Sequence, residues 1–181
     1  MKNQLAPFPL SRPRRLRQSD WMRRMVSETV ISPDDFIYPM FICEGDNITD
    51  PIPSMPGISR LSIDMAIEMA NHAANVGIPA IALFPYTEND KKNQNCTEAF
   101  NPDNLVNRAT RAIRAAVPDI GIMLDVALDP YNSDGHDGIL RDGEVINDET
   151  LMALEKQAII QAEAGANILG PSDMMDGRIG I

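Results

Sequence analysis

The sequence predicts an α/β protein in which a parallel sheet carries helices on its outside. Three observations predict it. Short apolar runs alternate with helical periods along most of the chain, and that alternation implies parallel strands joined by crossover helices. The runs are nearly continuous in apolar residues, as strands buried on both faces require. Polar residues collect directly after each run: Tyr86-Thr87, then Asp125 and Asp129, then Ser172-Asp173. Reaction sites occupy that end of the strands both in closed (β/α)8 barrels and in open doubly wound sheets.

Taken in order, Met1–Arg17 reads as an arm, since Pro7, Pro9 and Pro13 interrupt regular structure. Asp20–Glu28 is a short helix capped by Ser19 or Asp20, and Trp21 anchors the arm to a neighbour. Phe36–Cys43 is a strand, and the proline- and glycine-rich Glu44–Gly57 is a loop. Ser62–Val76 is a helix with Met65, Met69, His72, Ala73 and Val76 on one face, Ser62 as N-cap and Gly77 as stop. Ile78–Tyr86 is a strand and Thr87–Pro102 a polar loop.

Asp103–Val117 is a helix with Leu105, Val106, Ala109, Ala112, Ile113 and Ala116 inward and Arg108, Arg111 and Arg114 outward. Gly121–Leu128 is the next strand, and Pro130–Asn147 a long loop with a hairpin around Asp142-Gly143. Asp148–Ala164 is a helix capped by Asp148 and stopped by Gly165, and Asn167–Gly170 is a fourth strand. Met174–Ile181 reads as a loop and the start of a helix, so the chain is expected to stop in mid-architecture. The domain reading is residues 1–30 as an oligomer-contact arm and residues 31–181 as a truncated α/β body.

The chain has 181 residues and a net charge of −10, which excludes broad nucleic-acid binding. Arg12, Arg14, Arg15, Arg17, Arg23 and Arg24 crowd one short N-terminal stretch. The expected partner of that arm is the acidic body of a neighbouring subunit. No apolar stretch approaches the ~20 residues of a membrane helix, and no signal region opens the chain, so a cytoplasmic location is expected. The two cysteines, Cys43 and Cys96, are far apart and fit neither a disulfide framework nor a thiolate zinc site.

The richest stretch is Leu124–Ile139, LDVALDPYNSDGHDGI. A period of two points Asp125, Ala127 and Asp129 to one strand face, and Asp137 follows in a glycine-rich turn. Carboxylates in so apolar a strand are costly unless partnered, which marks a reaction site. His136 reads as a hydrogen-bonded loop group. Lys91 and Lys92 read as solvated loop charges, with a lid that reaches a substrate carboxylate as the alternative.

The segments Ile52–Asp64, Gly77–Pro85, Asp125–Leu140 and Gly170–Gly180 resemble porphobilinogen synthase, also called 5-aminolevulinate dehydratase, over the first half of that family's length. The resemblance implies a (β/α)8 TIM barrel, here only the first four β/α units plus the N-terminal arm, in a homo-octamer. It implies a lyase of tetrapyrrole and haem biosynthesis that condenses two 5-aminolevulinate molecules into porphobilinogen with loss of two waters. Zinc-type members carry three cysteines where this chain has Ala127, Asp129 and Asp137. Carboxylates suit magnesium rather than zinc, with Asp129 and Asp137 as candidate metal ligands. By the same resemblance Asp125, Asp129 and Asp137 are catalytic and Ser172 and Asp173 bind substrate. The family's two Schiff-base lysines match none of Lys2, Lys91, Lys92 or Lys156, so the chain is expected to be inactive alone. The alternative is a non-catalytic interaction module that docks onto full-length subunits.

Overall fold

The computed structural model describes residues 6–12 and 14–181. Lys2 and Pro13, to which the sequence reading gave a place, lie outside the described residues. The chain divides into a unit ending at Ser32 and a unit Pro33–Ile181. The first holds a turn of 3-10 helix, Arg15–Arg17, and α1, Asp20–Met25. Arg23 donates to Asp20 at 3.1 Å and to the Arg17 carbonyl at 3.1 Å. Trp21 and Met25 on α1, and Phe8 and Leu10 before it, are all exposed.

The second unit begins with β1, Ile37–Ile42, followed by β2, Thr49–Pro51, and β3, Ser59–Leu61. Then come α2, Ile63–Asn75, and β4, Ala80–Pro85, with α3, Leu105–Ala116, and β5, Gly121–Val126. A small hairpin follows, β6 Leu140–Arg141 and β7 Glu144–Val145, and the chain closes with α4, Asn147–Ala164, and β8, Ile168–Pro171. The main sheet runs β2-β3-β1-β4-β5-β8. Every pairing in it is parallel except β2 with β3.

Alternation along the strands separates an outer from an inner face. Met40, Ile42, Ile81, Leu83, Ile122 and Leu124 turn outward and pack with Ala66, Ala70, Ala73, Ala109 and Ile113 of α2 and α3. Phe41, Ala82, Phe84, Met123 and Asp125 stand on the opposite face, where the Phe41 and Phe84 rings lie 5.7 Å apart. A second core forms around the carboxyl end of β5, from Val126, Leu128, Tyr131, Leu154 and Met175.

Several details depart from the sequence reading. The stretch expected as loop contains β2, whose Pro51 is tolerated because β2 is an edge strand. The seam of α2 is Ala66, Ala70 and Ala73, while His72 and Val76 are exposed and Met65 and Met69 only half-buried. Both rows have the helical period, and the alanines win because they let helix and sheet approach closely. Ser62 stands at the N-cap position, but its hydroxyl joins the Ile48 N–H and the Asp64 carboxylate rather than a backbone N–H of the helix. The true cap of α3 is Asn104, which accepts from the Asn107 N–H at 2.9 Å. Asn107 and Thr110 are buried on its inward face while Ala116 is exposed. Asp148 lies within the first turn of α4 rather than at its cap, where its charge still favours the helix N-terminus. The Asp142-Gly143 hairpin forms as expected, with φ of 53° and 85° at the two turn residues. Among the described residues no helix is long and apolar enough to cross a membrane.

Candidate active site

Asp125 is the next-to-last residue of β5, on the inner face. Gly170 of β8 is its register partner. Continuing the β4–β5 register by one residue places Phe84 on its other side. An apolar ring and a residue without a side chain offer a carboxylate no donor. Burial therefore pushes the Asp125 carboxyl up to about 6, with the charges of Asp129 and Asp137 adding to the rise. From behind, α4 fixes the strand end. The buried Gln161 donates Nε2 to the Asp125 carbonyl at 3.0 Å, and the buried Gln157 to the Ala127 carbonyl at 3.0 Å.

The strand stops at Val126, so the expected common face for Asp125, Ala127 and Asp129 does not continue. Ala127 is buried and Asp129 is exposed in the turn beyond. Though the residue is exposed overall, the Asp129 carboxyl is partly screened from water, which with the charge of Asp137 raises it, against its own backbone N–H and the charge of Lys92. The loop brings Asp137 back toward both. Asn132 holds that loop, donating Nδ2 to the carbonyls of His136 at 3.0 Å and Gly138 at 2.9 Å. His136 accepts from the Gly138 N–H through Nδ1 at 3.0 Å, so its ring is engaged in loop geometry. Beneath the group lies the fully buried Tyr131, whose phenol is pushed up by burial and by the charges of Glu98, Asp125 and Asp129.

Ser172 and Asp173 go to opposite sides. Gly170 lies opposite Asp125, and Ser172, two residues on, falls on the same inner side, its N–H donating to the Val126 carbonyl at 3.1 Å. Asp173 follows Leu169 and Pro171 to the outer side, in a cavity of about 230 Å³ also lined by Leu154, Ala158 and Arg178. Its side chain is wholly buried, lies 3.6 Å from Arg178 Nη1, and accepts from the Met175 N–H at 2.7 Å.

None of the described lysines lies in an apolar setting. Lys91 pairs with Glu44 at 2.8 Å, and that bond holds its amine above the usual lysine range. Lys156 is exposed, its Nζ 5.3 Å above the Phe100 ring. Sequence reasoning missed Glu44 itself, which lies just past β1; position after an apolar strand was the available signal. It also missed Gln157, Gln161 and Arg178, for which periodicity offers no signal. Among the described residues no group of three or more His, Cys, Asp or Glu side chains is arranged to hold a metal ion.

Consecutive parallel strands with helices closing the outer face and carboxylates at the carboxyl end form part of a β/α barrel. The chain belongs to the delta-aminolevulinic acid dehydratase family, whose model matches residues 10–181. It is 52% identical over 168 residues to the delta-aminolevulinic acid dehydratase of Bradyrhizobium diazoefficiens, covering 93% of this chain and 48% of that protein. It is 48% identical over 172 residues to the chloroplastic enzyme of Chlamydomonas reinhardtii, covering 94% and 44%. The crystal structure of the Toxoplasma gondii enzyme, in complex with its reaction product porphobilinogen, superposes with a TM-score of 0.89 at 44% identity, over 93% of this chain and 48% of that one. The chain thus spans about half the length of the curated relatives it matches. The family is one of metal-dependent lyases.

Proposed function

We propose that this chain supplies the first β/α units of a porphobilinogen synthase, including a proton-transfer group, for condensing two 5-aminolevulinate molecules into porphobilinogen with loss of two waters. The observation that carries this reading is Asp125, raised to about 6 beside Asp129 and Asp137. A carboxyl with that value is populated in both protonation states near neutral pH and can accept and return protons. Asp129 and Asp137 then orient a substrate ammonium by charge. Ser172, on the same inner side, contacts the substrate, and Asp173 supports the turn that carries Ser172 from the outer layer.

The covalent step of this chemistry needs a neutral lysine amine in an apolar pocket. Lys91 is paired with Glu44, and Lys156 stands exposed beside the Phe100 ring, so neither amine lies in such a pocket. We therefore expect the purified chain to form no porphobilinogen, and product to appear when a polypeptide carrying the remaining β/α units is co-expressed. Product formed by the chain alone would overturn this reading.

The oxygen donors fit magnesium, which is satisfied by one or two carboxylates and water, better than zinc, for which the thiolates are lacking. Asp129 and Asp137 would hold the ion, and its charge would order the anionic site. Calorimetry should show magnesium uptake that Asp137→Asn removes; tighter uptake of zinc by the unaltered chain would contradict it.

The exposed Phe8, Leu10, Trp21 and Met25 support self-association through the arm, and a homo-octamer is part of the proposal. So is a cytoplasmic location, against the chloroplast of the algal relative. The same exposed residues favour a second reading, a non-catalytic module that docks onto full-length subunits. Co-purification with a full-length homologue that is lost with Trp21→Ala would support it.

A further inference from the structure

Each outer helix of the larger unit rests on two neighbouring strands: α2 on β1 and β4, α3 on β4 and β5, and α4 on β5 and β8. β8 is the last strand of the sheet, and among the described residues no helix follows it. Just before it, Asn167 donates its N–H to the Ile122 carbonyl at 2.8 Å, toward β5. Alternation then aims the backbone N–H and C=O groups of Ile168 and Gly170 at the open edge, where a further parallel strand can pair.

The cavity of about 230 Å³ that holds Asp173 lies on the outer side of that edge. Its walls are apolar, from Leu154, Ala158 and Ile159 of α4 and Leu169 of β8. Its polar end is incomplete. One Asp173 oxygen, Oδ1, accepts from the Met175 N–H at 2.7 Å and lies 3.6 Å from Arg178 Nη1. The other, Oδ2, is buried without a hydrogen-bond partner, and so is Arg178 Nε. A buried carboxylate oxygen is costly until it receives a donor, and hydrocarbon walls have none to give. An occupant of this cavity must bring a donor for Oδ2 and an acceptor for Nε–H on an otherwise apolar surface. A side-chain amide offers both from one planar group. The chain already fastens α4 to β5 with that group, through Gln157 and Gln161.

We propose that this cavity seats an apolar helix carrying one Asn or Gln, supplied by the polypeptide that bears the remaining β/α units, and that Asp173 with Arg178 is the latch that registers it. The partner's identity rests on the porphobilinogen synthase reading above. The chain covers 48% of the Bradyrhizobium diazoefficiens relative, which leaves about half of that protein to supply the helix. Its seat on β8 and the next strand continues the pattern of α2, α3 and α4. A second copy of the chain suits the cavity less well, because those three helices already rest on their own strands.

The test co-expresses the full chain with a tagged polypeptide comprising the half of the Bradyrhizobium relative that the chain does not cover, then measures capture and the dissociation constant. The unaltered chain should be captured. Ile159→Glu, at a position exposed in the free chain, should unfold in urea as the unaltered chain does and lose capture. Asp173→Asn puts an N–H donor where Oδ2 accepts, so a partner amide satisfies only one of the two groups, and binding should weaken about tenfold. Should Asp173→Asn fail to fold, Arg178→Lys keeps the charge, removes Nε–H and is expected to weaken capture likewise. Trp21→Ala should leave capture unchanged. The proposal is overturned if the unaltered chain is not captured, or if Ile159→Glu and Asp173→Asn bind as tightly as it does. Capture lost with Trp21→Ala would assign the contact to the arm, and self-association abolished by Ile159→Glu would assign the cavity to a second copy; either result also overturns it. Capture is read apart from turnover. A captured complex that forms no porphobilinogen would end the catalytic reading and leave the latch standing, and product formed equally by all the variants would do the reverse.

Discussion

Gln161, on the inward side of α4, donates its Nε2 to the backbone carbonyl of Asp125 across 3.0 Å of buried space. The outer helix layer thus holds the strand end that presents the site. Replacing Gln161 by Leu leaves that bond unmade and should cost about 1–3 kcal/mol in urea unfolding. Glu163→Gln, two residues along on the exposed side of α4, should stay within about 0.5 kcal/mol.

Asp125 should make stability fall as pH rises. Its carboxyl titrates at about 6 in the folded chain and near 4 when unfolded, so the native state binds the extra proton between those values. The folded protein is favoured at the acid end of that window and loses the advantage by pH 7. Asp125→Asn should therefore be more stable than the unaltered chain at pH 7.5, by up to about 2 kcal/mol, and gain little at pH 4. Thermal unfolding of both proteins across pH 4–8 checks the sign.

Asn104→Ala should be among the costlier polar truncations. Asn104 is buried, accepts from the Asn107 N–H at 2.9 Å and donates to the Glu98 carbonyl at 3.0 Å. Loss of the cap and of the second bond together should cost about 2 kcal/mol, measured as a shift in unfolding midpoint.

Ser172 and Asp173 should separate cleanly. Arg178→Met strips the buried Asp173 carboxylate of its nearby cation and should cost about 2–4 kcal/mol. Ser172→Ala, at an exposed position, should leave unfolding within about 0.5 kcal/mol and act on 5-aminolevulinate turnover once the remaining β/α units are supplied. Equal loss of stability in the two variants would contradict the division of faces.

The principal strands and helices were legible because apolar runs and helical periods recur, and because Gly77, Gly165 and the Asp142-Gly143 pair mark stops and a turn that need positive φ. β2 was hidden by Pro51, whose breaking signal has no force on an edge strand. The alanine seam of α2 was hidden by the bulkier methionine row beside it. In the site, the approach of Asp137 to Asp125 and Asp129 was legible from one dense motif and from the resemblance it carries. The opposite destinations of Ser172 and Asp173 were lost because a motif reports neighbours in sequence, whereas the pleat separates them. Gln157, Gln161 and Glu44, which accepts from Arg108, act across the layers of the fold, and no local pattern announces a partner 64 positions away.

The alternation through β8 also limits how this region can change over evolutionary time. Substitutions between Ile168 and Pro171 alter one side or the other and can be absorbed singly. Losing or gaining one residue there would exchange the sides, turning the Asp173 carboxylate into the interior and Ser172 into the apolar cavity beside Arg178. Sequence drift in this strand is therefore more constrained in length than in composition.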